Sequence, residues 1–91
     1  MESIICNDKE CFVCHTTLGL HKHHVFGGAN RKHSEKYGLT IWLCGMHHNL
    51  SKDGIHSNRP LELVIKRLAQ EKFESIYSHD LFMQIIGKNY K

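Results

Sequence analysis

Two ligand pairs at the same short spacing stand in this chain of only 91 residues: Cys11-Phe12-Val13-Cys14 and Cys44-Gly45-Met46-His47. Three thiols and an imidazole are the donor set of a closed, tetrahedral Cys₃His zinc site. No other feature limits the fold as much. A chain of this length buries only about 60–65% of the surface its unfolded form exposes, and small domains commonly need a staple. A structural Zn²⁺ would draw together the two ends of the segment between Cys11 and His47, so its binding energy would be folding energy. Disulfides are the other staple four cysteines allow. The opening MESIICNDKE, however, has neither the basic region nor the apolar run of a signal peptide. No stretch approaches the length of a membrane span. The chain reads as cytoplasmic, where thiols stay reduced and clustered Cys and His hold zinc.

Three competing uses of the cysteines are weaker. Cys6 stands at an unusual distance from Cys11 for a knuckle and reads as a free thiol. A redox pair at Cys11 and Cys14 would need a βαβ pattern around it. Cys11-Phe12-Val13-Cys14-His15 also fits the c-type haem attachment pattern, but that attachment takes place outside the cytosol and would leave Cys44 and His47 unused.

The remaining pattern is that of one small α+β domain without repeats, linkers or low-complexity segments. Gly19, between Thr16-Thr17-Leu18 and Leu20-His21-Lys22-His23, suggests a tight hairpin. Gly27-Gly28-Ala29-Asn30 opens a loop expected to run through Arg31–Lys36 to Gly38. Leu39–Leu43 reads as a strand, β-branched and aromatic, ending at Cys44. Gly45–Lys52 reads as a short helix stopped by Gly54. The best helix follows Asn58-Arg59-Pro60, with Leu61, Val64, Ile65, Leu68 and Ala69 as an apolar stripe. Glu62, Lys66, Arg67, Gln70 and Glu71 take its other face. Leu81–Ile86 reads as a last short helix that Gly87 ends. The formal net charge of +3 permits a nucleic-acid partner without requiring one.

The histidines carry the chemistry. Leu20–Gly28, LHKHHVFGG, puts His21, His23 and His24 within four positions, and His48 follows His47 directly. Neighbours on a helix point about 100° apart, so His47 can face the zinc while His48 faces a second ion. Gly54 lets the chain fold back and bring His56 toward that ion. In a regular strand His23 and His24 point to opposite faces. One can then be a ligand while the other takes a different role. His21 shares a face with His23 and is a competing ligand. A site with three protein ligands and open positions is what catalysis needs, and a spare histidine beside it can act as a general base. His33 and His79 read as surface residues, and His15 and His21 can also be read so.

These residues resemble the HNH endonucleases, the ββα-metal nucleases. The matching pieces are His23-His24-Val25, then Leu43-Cys44-x-x-His47-His48-Asn49, then His56. The His-His, Phe-Gly-Gly and Cys-x-x-His-His combination is similar to the phage-encoded branch typified by RecA-dependent Ref-like nucleases. The resemblance covers residues 11–57, which would form the ββα-metal core, with 58–91 as a helical extension. It implies His24 as the general base and His23, His48 and His56 as ligands of one catalytic divalent ion, whether Mg²⁺, Mn²⁺, Ni²⁺ or Zn²⁺. It assigns Cys11, Cys14, Cys44 and His47 to the structural zinc. It further implies a phage or prophage protein acting on DNA in a bacterial cytoplasm, with a recombinase filament, a packaging terminase or another phage or host protein as a possible partner. Arg31, Lys32, Lys36, Lys52 and Arg59, expected in loops around the site, would touch phosphates, with low sequence specificity and strong salt dependence. The motif's middle Asn has no counterpart before Leu43-Cys44, where Gly38, Leu39 and Thr40 stand. Asn30 and Asn49 are the candidates for its work. The alternative on the same scaffold is a zinc-binding module that holds nucleic acid or a protein without cutting.

Overall fold

A computed structural model describes residues 2–48 and 58–91. In chain order it contains β1 (Leu20–His24), a 3₁₀ turn (Gly28–Asn30), α1 (Arg31–Tyr37), β2 (Thr40–Cys44), α2 (Gly45–His48), α3 (Arg59–Ile76) and α4 (His79–Ile86). This is a small mixed α+β fold. β1 and β2 pair antiparallel in the register Leu20↔Cys44, His21↔Leu43, Lys22↔Trp42, His23↔Ile41 and His24↔Thr40. Two strands alone are marginal in water. The core is completed by Val25, Phe26 and Leu39 at the sheet's end, and by Ile65, Ala69, Phe73 and Phe82 from α3 and α4. Phe82 joins the layers, with its ring edge-on to Phe26 at 5.5 Å and to Phe73 at 5.6 Å.

Two expectations are corrected here. Thr16–Leu18 forms no strand, so there is no tight hairpin at Gly19; β1 pairs with β2 across the intervening helix. The reason is the knuckle itself. The His15 N–H donates to the Cys11 carbonyl, the Cys11 N–H to the Thr16 carbonyl, and His15 sits at φ 65°. That curl cannot lie flat as a strand. Second, Arg31–Tyr37 is a helix rather than a loop. Ser34 is fully buried, and its hydroxyl accepts from the Phe26 N–H and donates to the Phe26 carbonyl. Gly38, at φ 70°, ends the helix in the left-handed conformation, with its N–H on the Ser34 carbonyl.

α3 and α4 start as their sequences direct. The side chain of Asn58 accepts from the Leu61 N–H, Pro60 occupies the first turn, and Ser78 caps α4 by accepting from the Leu81 N–H. Gly87 closes α4 at φ 83°. The buried face of α3 is rotated from the expected stripe. Ile65, Ala69, Gln70 and Phe73 are buried, while Val64 is 55% exposed and Leu68 is also exposed. Gln70 is accepted inside because its amide is satisfied. Its nitrogen donates to Asn89 and Glu74, and its oxygen accepts from the Tyr90 N–H. Among the described residues no helix is long and apolar enough to cross a membrane.

Candidate functional site

The knuckle's curl presents Cys11 and Cys14 beside the end of β2, to which it is tied by the Phe12 N–H donating to the Trp42 carbonyl. Cys44 ends β2, and α2 starts at once, placing His47 over the same point. The ligand atoms of Cys11, Cys14, Cys44 and His47 all lie within 4.8 Å of one another. Bonds of about 2.3 Å to sulfur and about 2.05 Å to nitrogen at the tetrahedral angle require ligand separations of about 3.8 Å for S···S and about 3.6 Å for S···N. Cys14 Sγ and Cys44 Sγ are 3.8 Å apart, and Cys11 Sγ and His47 Nδ1 are 3.6 Å apart. The Cys44 Sγ–His47 Nδ1 separation, 3.2 Å, is somewhat tighter. The donor set and the spacing therefore fit a structural zinc.

The electrostatics fit as well. Burial pushes the Cys11 thiol up, but the backbone groups of Cys44, Cys14 and Val13, with the Cys14 side chain, outweigh it and hold the thiol at about 6 rather than 9. At Cys14 the backbone of Thr16 pulls down, while desolvation and the Cys11 and Cys44 sulfurs push up, and the net direction is up. One thiolate forms readily and resists a second beside it. A divalent cation removes that conflict, because a coordinated thiol is deprotonated outright.

β1 sorts the other histidines by strand alternation. His21 and His23 share one face and meet His48, the residue after the zinc-facing His47. His21 Nδ1 and His48 Nδ1 are 3.1 Å apart. The ring centroids are 5.2 Å apart for His21–His48 and 5.3 Å for His23–His48. The His21–His48 contact is at hydrogen-bond distance, with one imidazole donating and the other accepting. His23 is buried and His21 is exposed. His56 lies outside the described residues, as do Asn49, Lys52 and Gly54.

Lys22 and His24 take the opposite face of β1 and meet Glu35 of α1. Lys22 Nζ donates to Glu35 Oε1 at 2.9 Å, and His24 Nε2 lies 2.7 Å from Glu35 Oε2. Lys22 first, and His24 second, hold the Glu35 carboxyl down at about 2 against an ordinary 4.5. Spacing alone gave no sign of Glu35, because the run carrying it reads as a loop. Arg31, Lys32 and Lys36 lie along α1, not in a loop. Arg59 is the first residue of α3 and pairs with Glu62 at 3.2 Å. Asn30 donates to the Ile86 carbonyl at 3.2 Å.

Comparison with protein-family profiles, with curated proteins and with solved structures finds no match to this chain. Fold and site together define a small α+β protein with a Cys₃His cluster able to hold zinc.

Proposed function

We propose that the chain is a metal-dependent endonuclease of the HNH kind, hydrolysing DNA phosphodiester bonds with little sequence preference. The observation that carries this reading is the division of adjacent histidines on α2: His47 joins the three thiols and His48 joins His21 and His23. A protein that needed only a staple would have no use for the second cluster. Neutral imidazole suits borderline divalent ions, so His23 and His48, with His56 from the sequence, are the proposed ligands. A divalent ion held there supplies Lewis-acid stabilisation of charge on the phosphate and the leaving oxygen. His24 removes a proton from the attacking water as its oxygen bonds to phosphorus. The bond from phosphorus to the 3′ oxygen breaks, and that oxygen is protonated from solvent. General-base assistance of this sort is typically worth about 10²–10⁴-fold. Arg31, Lys32 and Lys36 would bring α1 against the phosphate backbone, a contact that positions DNA but does not read its sequence.

A second reading is favoured by one observation. Among the described residues the metal-suited cluster is the closed Cys₃His set, and closed sites are structural. A zinc-stapled module that binds DNA or a protein would need nothing more. Supercoiled plasmid decides between the two. Zinc-loaded protein should nick it in Mg²⁺, Mn²⁺ or Ni²⁺, and His24→Ala should lose about 10²–10⁴-fold of that rate while still melting cooperatively. Protein that retards DNA in a gel yet nicks it in none of these ions would leave the binding module standing.

A further inference from the structure

We infer that Glu35 is the positioning residue for His24: its carboxylate accepts a hydrogen bond from the Nε2–H and so leaves the imidazole lone pair on Nδ1. The catalytic meaning of this rests on the reading of His24 as the general base. The hold of Glu35 on the imidazole does not.

The chemistry follows from the contact. A neutral imidazole carries one N–H and one lone pair. His24 Nε2 lies 2.7 Å from Glu35 Oε2, and an ionised carboxylate has no proton to give. The hydrogen must therefore sit on Nε2, and the lone pair on Nδ1. A histidine base works only in the tautomer its partner fixes, and carboxylates fix it in this way at hydrolytic and metal sites alike.

The carboxylate is itself held. Lys22, two residues before His24 on the same strand face, takes the other oxygen at 2.9 Å. The two oxygens thus bridge two rungs of one strand, which sets the plane of the carboxylate. The helix carrying Glu35 is fixed at the adjacent residue. Buried Ser34 bonds both the N–H and the carbonyl of Phe26, and its own carbonyl accepts from the Leu39 N–H. The chain from anchor to imidazole is short: Phe26, Ser34, Glu35, His24.

Stability does not explain the bridge. Glu35 is about half exposed, and exposed ion pairs contribute little to folding. A role toward His24 does explain it. Glu35 reaches His24 directly, at 2.7 Å.

The test reads the tautomer and the rate separately. Side-chain ¹⁵N spectra of the full zinc-loaded chain, with His24 assigned by comparison with His24→Ala, should show neutral His24 protonated on Nε2. Glu35→Ala should abolish that preference and leave the melting temperature nearly unchanged. Glu35→Gln, which keeps an acceptor oxygen, should restore it. In plasmid cleavage Glu35→Ala should lower kcat by about 10–100-fold while KM stays close to wild type, and Glu35→Gln should recover most of the loss. Wild-type His24 protonated on Nδ1, or a Glu35→Ala spectrum identical to wild type, overturns the inference, and the first of these needs no variant to fold. Wild-type protein that cuts nothing overturns the endonuclease reading instead, and the tautomer still decides whether Glu35 holds His24.

Discussion

Replacing Cys14 by Ser tests the zinc reading more sharply than replacing a buried ligand, because Cys14 is exposed. An exposed Cys→Ser change outside a metal site should shift stability by less than about 0.5 kcal/mol. Within the cluster it removes one arm of a cross-link between residues 30 apart in sequence, Cys14 and Cys44. Treated as loop closure, a cross-link over about 30 residues is worth about 3.6 kcal/mol at 25 °C. A chain of 91 residues has a total stability of about 5–14 kcal/mol, so this one link is a large part of it. Unfolding entropy of about 2.1 cal/mol/K per residue converts the loss into a fall of about 19 °C in melting temperature. Circular dichroism melts of the zinc-loaded protein, the chelator-stripped protein and Cys14→Ser should show that fall in full on stripping and part of it for Cys14→Ser, in which Cys11, Cys44 and His47 can still hold the ion. Metal analysis should find one zinc per chain in the first. A chelator-stripped melt superimposable on the zinc-loaded one would refute the reasoning, since it would mean that the four ligands close no loop.

Two further outcomes follow from the packing. Gly38→Ala should cost about 1–2 kcal/mol for the left-handed conformation alone, and more in total, because the new Cβ would overlap the Glu2 carbonyl, while Gly19→Ala, at φ 61° in open space, should cost only the backbone part; equal urea midpoints for the two variants would contradict the close approach of the N-terminal segment. At Glu74 burial pushes the carboxyl up, but Lys91, Gln70 and His79 outweigh it and hold it at about 2, below the usual 4.5. A depressed folded-state value contributes stability that is present above about pH 4.5 and is lost as pH falls through about 2. The gap in urea midpoint between wild type and Glu74→Gln should therefore be open at pH 6 and closed near pH 2, and a gap that stays constant would disprove this account.

What could be read from the sequence was what is local. The two ligand pairs, the β-branched run ending at Cys44, the Asn58 cap with Pro60 and the Gly87 stop each depend on residues within a few positions. The hairpin expected at Gly19 failed locally, to the curl that ties Cys11 to His15 and Thr16, but the other errors involve partners further along the chain. α1 has no apolar stripe to announce it; its one buried residue is Ser34, held by hydroxyl bonds to Phe26 that no periodicity displays. The outward assignment of Gln70 failed because its partners, Asn89 and Tyr90, lie about twenty residues on. Within the site, alternation separated His23 from His24 correctly in face. Glu35 was invisible because the helix that presents it was invisible.

The order of the two clusters along α2 also bears on why so small a chain keeps both. α2 is four residues long, Gly45–His48, too short to hold its own conformation in isolation. Its first turn is fixed from outside, by His47 turned toward the thiols and by Cys44 anchored in β2. The direction of His48 is then no longer free, since its side chain must point about 100° around the helix from that of His47. His21 and His23 stand on the strand face that this direction meets, because β1 is paired to β2 in a register that sets His21 opposite Leu43 and His23 opposite Ile41. The Cys₃His cluster thus sets the aim of His48 through a single peptide unit, and the sheet register supplies the imidazoles it meets. A helix held only by apolar packing would leave that azimuth loose, and α2 buries no residue of its own. The four-residue cluster therefore also fixes where His48 points, toward His21 and His23.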